Sequence, residues 1–135
     1  MDPRHRKTER ILAVREQLQR AAEWRLAEAS RERARLDQTR QALVATLSSD
    51  LLGPVLLEHA ARHLQRIAAE SSRVEARQQA AQAQVREETL ATKRAERLAT
   101  AAAATARAAA ERRQMAEIAE ASALRAADDG DASLA

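Results

Sequence analysis

Residues 48–54, SSDLLGP, decide the fold of this chain. They are the one clear interruption of a helical sequence, because the 135 residues contain only two glycines and two prolines. Gly53 favours a left-handed helix terminus, and Pro54 cannot continue a helix but can begin one. The stretch is too short for a separate linker, so we expect a second helix to turn back on the first.

The residues on both sides of this turn favour helices. Ala, Arg, Glu, Gln and Leu dominate, and all five are strong helix formers. Alanine fills 35 of the 135 positions, against one Trp and no Phe or Tyr. Because alanine buries little apolar surface, the sequence supports a thin seam between helices better than a compact core. We therefore predict an all-α fold, a long two-helix antiparallel coiled-coil hairpin with an overhanging C-terminal helix.

The expected boundaries follow from capping residues and breaks. Asp2 and Pro3 suit an N-cap and a first helical position. The hairpin is expected over 1–127, with helix 1 at about 3–48, a turn at about 49–54, helix 2 at about 55–127, and a disordered acidic tail at 128–135.

Two apolar stripes mark the surfaces that should meet. The first has a mean spacing near 3.6 residues, and the second slips sideways by five residues after Val85. With the turn near 51–55, residues that meet should have index sums of 106 or 107, which leaves residues beyond about 103 without a partner. The predicted seam residues are Leu18, Leu26, Leu36, Leu43, Leu64, Ile67, Val74, Val85 and Leu90.

Several chemistries are not expected. Cysteine is absent, which removes disulfides and thiol chemistry, and no nucleophile–base set or glycine-rich phosphate loop is present. His59 and His63 stand at i and i+4, but too few ligands lie nearby for a metal site, so we interpret them as polar surface near the turn. We expect no enzyme activity, cofactor or metal.

Charge and hydropathy suggest a cytoplasmic protein. The 23 basic and 20 acidic groups leave a net charge of +3, which is weak for nucleic-acid binding. The basic cluster at residues 4–10 is interpreted as a solvated end, with contact to an acidic protein partner as the alternative. No secretory signal and no stretch able to span a bilayer is expected, so we predict no direct membrane insertion.

Two apolar features leave alternatives open. Trp24, the sole aromatic residue, is either a seam-edge residue that covers the hairpin or an exposed interface anchor. The leucines around the turn either fold over locally or form a docking patch.

Two stretches of the sequence resemble the FliJ family, the cytoplasmic stalk of the flagellar type III export ATPase. They are ERILAVREQLQRAAEWRLAEA, which begins at Glu9, and ERRQMAEIAEASALR, which spans Glu111–Arg125. The resemblance covers roughly residues 8–125. It implies that the two termini enter the pore of a hexameric export ATPase while the tip reaches a membrane export gate. Export chaperones are further implied partners, and the implied location is cytoplasmic, peripheral at the inner-membrane export apparatus.

The resemblance also implies contact residues. Those for the ATPase ring are Ile11, Arg15, Arg112, Arg113, Met115, Glu117 and Ile118. Those for the export gate, near the tip, are Leu47, Leu51, Leu52, Leu56, His59 and His63.

Competing interpretations are the stalk of an injectisome-type secretion system and a structural coiled coil without an export role. A structural coiled coil would favour a parallel dimer with sustained 3.5-residue heptads, a spacing that the apolar stripe does not keep. The hairpin interpretation predicts an elongated monomer.

Overall fold

The fold is an all-α hairpin of two long helices that pack against each other, as predicted. The computed structural model describes residues 2–49 and 53–134. Helix α1 spans Pro3–Leu47 and helix α2 spans Pro54–Leu134, and no strand is present in these ranges. The two helices lie on either side of the predicted turn.

Local hydrogen bonds account for the helix ends. The backbone N–H of Arg4 donates to the Asp2 carboxylate at 3.1 Å, which confirms Asp2 as the N-cap of α1. At the other end of α1, Ser48 N–H donates to the Val44 carbonyl at 3.0 Å. Helix α2 begins at Pro54 as predicted. The left-handed conformation predicted for Gly53 was wrong, because no described glycine has a positive φ.

The physical reason for that difference lies in the two serines that follow α1. Ser49 N–H donates to the Thr46 carbonyl at 3.1 Å, so a tightened last turn already ends α1 at Leu47. The Gly53 carbonyl instead accepts the N–H of Leu57 at 3.0 Å. Gly53 therefore belongs to the start of α2 rather than to the end of α1.

Helix α2 is longer than the sequence predicted. It continues to Leu134, whereas its end was placed at about 127 and residues 128–135 were expected to be disordered. Gly130 lies inside the helix without a positive φ. A single glycine costs a helix only about 1 kcal/mol relative to alanine, and no proline follows it. One glycine alone therefore does not end a helix of this length.

The buried face of α2 keeps a seven-residue repeat, with alternating steps of three and four residues. This is the 3.5-residue spacing of a coiled-coil seam, so the predicted absence of sustained heptads and the sideways slip after Val85 were both wrong. Buried or half-buried residues that follow the repeat are Ala60, Leu64, Ile67, Ser71, Val74, Gln78, Ala81, Val85, Glu88, Thr92, Ala95, Ala99, Ala102, Ala106 and Ala109.

The seam of α1 follows the same spacing. Counting back from buried Ala22 by heptad steps reaches Gln19 and Leu12, which are half-buried, and passes by the predicted seam residue Leu18. Leu18 is exposed, and so is Leu90 on α2. The sequence prediction followed the largest side chains, whereas the seam follows the strict repeat and accepts smaller or polar residues.

The other predicted seam residues lie in or beside the seam. Ile67 and Val74 are buried, and Val74 is fully covered. The half-buried members of the prediction are Leu26, Leu36, Leu43, Leu64 and Val85.

The chain divides into two compact units, and both helices contribute to each. Unit 1 consists of Met1–Val14 and Lys93–Ala135, and unit 2 consists of Arg15–Thr92. In unit 1 the first residues of α1 lie beside the middle of α2, where Pro3, Ala106 and Ala110 line one shallow groove. Unit 2 holds the segments of the two helices nearest the turn. It also contains the polar contacts between the helices that are described below.

Candidate functional site

Helix α2 continues in unit 1 past the start of α1 as an unaccompanied helix. We call residues 114–134 the overhang, since Arg113 is the last residue that lines the groove beside Pro3. Every residue from 110 to 132 is exposed. Met115 and Ile118, one turn apart, are 68% and 56% exposed. The overhang therefore presents apolar side chains that nothing in unit 1 covers.

Charge changes sign between the overhang and the rest of unit 1. We call residues 2–14 and 93–113 the base; it holds ten basic and four acidic groups, a net charge of +6 with histidine neutral. The overhang holds five acidic groups and Arg125, a net charge of −4. The nearly balanced charge of the whole chain conceals this separation.

The base also exposes large aliphatic side chains. Ile11 and Val14 on α1 and Leu98 on α2 are 42%, 58% and 60% exposed. They are exposed because the heptad seam between the helices takes Leu12, Ala95 and Ala99 instead. The predicted contact residue Ile11 thus lies on the surface, at the rim of the seam.

The remaining predicted ATPase contacts fall into two groups. Arg112 and Arg113, at the end of the base, and Glu117, at the start of the overhang, are exposed near Met115 and Ile118. Arg15 belongs to unit 2, where its guanidinium lies 3.9 Å from the Glu88 carboxylate. Arg15 is therefore engaged within the hairpin, and the structure does not place it among the overhang residues.

Polar groups interrupt the seam of unit 2 around Glu88. The Glu88 Oε1 accepts a hydrogen bond from the Gln84 amide at 2.9 Å, while Oε2 is buried without a hydrogen-bond donor. Thr92, also buried, donates its hydroxyl to its own helix at the Glu88 carbonyl, 2.8 Å away, and lies 3.3 Å from the Arg15 carbonyl. This layer was not predicted from the sequence, because the predicted seam follows apolar residues; heptad counting from Val85 finds both positions.

A second polar layer lies nearer the middle of unit 2. The Arg33 guanidinium donates to the Gln78 amide oxygen at 2.8 Å, and the Gln78 amide donates to the Ser30 hydroxyl at 3.2 Å. Arg33 therefore reaches across the seam while its guanidinium stays at the surface. Beside it, Arg77 pairs with Glu32 at 3.3 Å.

These polar contacts report the register of the hairpin. The index sums are 111 for Arg33–Gln78 and 108 for Ser30–Gln78. The sum is 107 for the contact of Thr92 with Arg15. The sum is 109 for Glu32–Arg77 and 103 for Arg15–Glu88, so the polar contacts lie on both sides of the predicted 106 or 107, as long side chains of an antiparallel pair in that register allow.

Trp24 lies on the exposed flank of unit 2. Its side chain is 63% exposed, which favours the surface alternative over a residue that covers the seam. It lines a shallow groove together with Ala29, Ala80 and Ala81 and with the ion-paired Glu32 and Arg77.

The predicted export-gate residues near the turn are only partly exposed. Leu56 and His59 are exposed, whereas Leu47 and His63 are half-buried. Leu51 and Leu52 lie outside the described residues. The structure therefore gives an apolar and polar surface at the start of α2, without a closed pocket.

The described residues contain neither a metal-binding cluster nor a membrane-spanning helix. Within the described ranges, no group of three or more His, Cys, Asp or Glu side chains is placed to hold a metal ion. In the same part of the chain, neither helix contains a segment sufficiently long and apolar to cross a bilayer.

No family model, curated protein or solved structure matches this chain. The candidate surfaces consequently stand on their own geometry. The overhang combines exposed large apolar residues with a net charge of −4, and it is the candidate functional site.

Proposed function

We propose that this chain is the coiled-coil stalk of a flagellar type III protein export apparatus, as its resemblance to the FliJ family implies. One observation carries the proposal: α2 outlasts α1 and ends in an exposed helix that displays Met115 and Ile118. In this proposal the overhang and the start of α1 enter the central pore of a hexameric export ATPase. The end with the turn is directed to a membrane export gate.

The side chains on both sides of the junction between base and overhang support contact with a ring of repeated subunits. Arg112, Arg113 and Glu117 are exposed and can form transient ion pairs as the ring subunits change conformation. Alanines separate the charged and large side chains, so a ring of loops can approach the helix backbone closely. Arg15 is left out of this contact, because Glu88 already engages it.

The other end of the hairpin supports the proposed gate contact. Leu56 is 55% exposed beside exposed His59, so an apolar contact flanked by hydrogen-bonding groups is available there. Leu51 and Leu52 remain predicted members of this contact.

The chain acts in this proposal through binding alone. It is proposed to be no enzyme and to bind no cofactor, while the ATPase supplies the chemistry. The proposed location is the cytoplasmic face of the inner membrane, with export chaperones as further partners and no nucleic acid.

The stalk of an injectisome-type system is the same proposal with different partners. A structural coiled coil is a distinct alternative, and the heptad seam removes one argument against it. In this structure, however, the seam joins two helices of the same chain. The two helices bury each other's seam residues, so no second chain is required at the seam. This favours the stalk over a filament subunit.

The proposal is tested by binding to the purified export ATPase. A label at the end of the overhang would report binding as an increase in fluorescence anisotropy. The double variant Met115→Asp/Ile118→Asp is expected to lose at least about tenfold in affinity, because it removes two exposed apolar contacts. The matched control Leu56→Asp, at the far end of the hairpin, is expected to bind normally. Equal binding by all three proteins would exclude the overhang as the ATPase contact.

A further inference from the structure

The base of unit 1 has two faces, one on each side of the seam that Leu12, Ala95 and Ala99 mark. Residues seven apart in a coiled coil lie on the same side of its seam, so the repeat assigns the exposed residues of each helix to a face. The sides of α1 and α2 that belong to the same face follow from contacts between the helices.

The Glu32–Arg77 ion pair identifies one such face. Its two side chains approach to 3.3 Å, and both line the groove that Trp24 lines. Ile11 precedes Glu32 by 21 residues, which is three heptads, and Leu98 follows Arg77 by the same 21 residues. Ile11 and Leu98 therefore lie on one side of the seam, as Glu32 and Arg77 do.

On α1, basic residues share this side with aliphatic ones. Arg4 precedes Ile11 by seven residues, and Lys7 precedes Val14 by seven. Val14 comes one turn after Ile11 and so lies on the same flank of the helix. All four side chains are exposed.

Helix α2 adds residues of the same two kinds. Arg94 comes one turn before Leu98, and Arg112 follows Leu98 by two heptads. We call this side of the base the basic face, because its charged residues are four basic groups and no carboxylate. Its charged and large aliphatic members are Arg4, Lys7, Ile11, Val14, Arg94, Leu98 and Arg112.

The opposite face of the base differs in both properties. It includes the shallow groove where Asp2 lies beside Ala110 and Arg113, and heptad steps from Asp2 and Ala110 reach Glu9 and Glu96. Three carboxylates and four basic groups give this face a net charge of +1, and it has no large aliphatic residue. Its charged members are Asp2, Arg6, Glu9, Lys93, Glu96, Arg107 and Arg113. The remaining charged groups of the base, which point away from the seam, are Arg10, Arg97 and Glu111.

We propose that the basic face binds the surface of an anionic phospholipid membrane, with the base lying flat on it. The basic side chains then lie among the lipid phosphates. The aliphatic side chains enter the boundary between headgroups and acyl chains, as in amphipathic helices that lie in the membrane interface. Residues 4–10 alone were interpreted as a solvated end, and the face becomes amphipathic only where α2 adds Arg94 and Leu98.

The aliphatic residues favour a lipid surface over other anionic ligands. Val14 and Leu98 are 58% and 60% exposed, so they protrude from the face. A protein partner would need pockets that match them, whereas a headgroup layer deforms to receive them. A nucleic acid would neutralise the basic groups but would leave the aliphatic side chains against its phosphates.

This inference goes beyond the proposed stalk function and does not rest on it. The start of α1 is also proposed to enter the ATPase pore, so the lipid-bound and ATPase-bound chains are alternative states. A chain that binds the ATPase but not membranes would overturn this inference and leave the stalk function intact.

Co-sedimentation of the full chain with vesicles is the first test. Vesicles of equal parts phosphatidylcholine and phosphatidylglycerol should bind the chain at least about tenfold more tightly than pure phosphatidylcholine, and added salt should weaken the binding. Equal affinity for the two compositions, or no binding to the anionic vesicles, would overturn the proposal.

Charge reversal on the two faces tests where the lipid binds. Lys7→Glu/Arg94→Glu, on the basic face, should bind anionic vesicles at least about tenfold more weakly, because two carboxylates replace two basic groups. Lys93→Glu/Arg107→Glu, on the opposite face, changes the net charge equally and should bind like the wild type. Equal losses in the two variants would show that net charge alone governs binding and would contradict the proposed face.

The aliphatic contribution is tested separately. Val14→Ser/Leu98→Ser should weaken vesicle binding roughly fivefold or more, because it removes two side chains that enter the interface. Leu90→Ser/Leu124→Ser, at exposed positions outside the base, should bind normally. Unchanged binding of the first variant would contradict insertion of the aliphatic side chains.

Competition tests the class of ligand. Neither poly-glutamate nor a duplex oligonucleotide, each at the same charge concentration as the vesicles, should displace the chain from anionic vesicles. Displacement by poly-glutamate would identify an acidic polypeptide as the ligand, and displacement by the duplex would identify a nucleic acid. Either result would overturn the proposal.

Discussion

The Arg15 guanidinium and the Glu88 carboxylate lie 3.9 Å apart across the seam of unit 2. The pair is asymmetric, because the Glu88 side chain is 14% exposed and that of Arg15 is 44% exposed. The Glu88 Oε2 is buried without a hydrogen-bond donor, so this carboxylate is only partly compensated. The heptad repeat places it where a coiled coil normally has an apolar residue.

The first prediction concerns this seam position. Glu88→Leu is expected to raise the free energy of unfolding by about 1 kcal/mol, because an apolar side chain replaces a poorly compensated charge. Thermal unfolding followed by circular dichroism would measure the change as a higher midpoint. A lower midpoint would show that the Arg15–Glu88 pair stabilises the hairpin more than apolar packing would.

The partner of Glu88 gives the opposite expectation. Arg15→Ala should lower the free energy of unfolding by about 1 kcal/mol, since it leaves the buried carboxylate with the Gln84 amide alone. In a Glu88→Leu background the same substitution should have little effect. Additive effects of the two substitutions would argue against a direct interaction.

The second prediction separates the heptad seam from the apolar stripe. Val74→Asp should destabilise the hairpin by about 3 kcal/mol or more, because Val74 is fully buried and the charge has no partner. Leu18→Asp, a matched change at an exposed position, should cost far less. Similar losses in chemical denaturation would mean that Leu18 lies in the seam after all.

The third prediction concerns the end of α2. Gly130→Ala should stabilise the last turns by about 1 kcal/mol, because Gly130 has helical backbone angles and open space around a Cβ. Slower amide hydrogen exchange over residues 125–134 would report this. Gly53→Ala, outside both helices, is the control and should leave exchange there unchanged. No slowing in the Gly130 variant would place the end of α2 before residue 130.

The fourth prediction tests the register of the hairpin. The Gln78 side-chain amide donates a hydrogen bond to the Ser30 hydroxyl at 3.2 Å, so the double variant Ser30→Cys/Gln78→Cys should close a disulfide within one chain. The variant Ser30→Cys/Val85→Cys, displaced by one heptad, should not close. Mass spectrometry of alkylated protein distinguishes the two, and efficient closure of the displaced pair would contradict the register.

The amino-acid composition and the positions of glycine and proline were sufficient to predict the all-α hairpin architecture. The scarcity of glycine and proline made both helices foreseeable, and Pro54 located the start of the second one correctly. The register was close because an antiparallel pair with a short turn has nearly constant index sums. These properties depend on backbone geometry, which the sequence determines locally.

The details of the seam could not be predicted by following large apolar residues. Leu18 and Leu90 were expected inside and lie outside, whereas Glu88 and Thr92 lie inside. In an alanine-rich hairpin, close approach of two helices favours small residues at strict heptad positions over large ones nearby. The candidate site could not be predicted from residue types alone. Met115 and Ile118 are exposed because α1 begins at Pro3 and does not extend alongside this part of α2.

We propose that the overhang engages an export ATPase, and capture of binding partners from extracts of the native cells is the decisive experiment. The tagged wild-type chain and the Met115→Asp/Ile118→Asp variant would be purified in parallel, and co-eluting proteins identified by mass. We expect a hexamer-forming export ATPase to co-elute with the wild type and to be lost with the variant. Absence of any export ATPase or gate protein from both eluates would contradict the proposal.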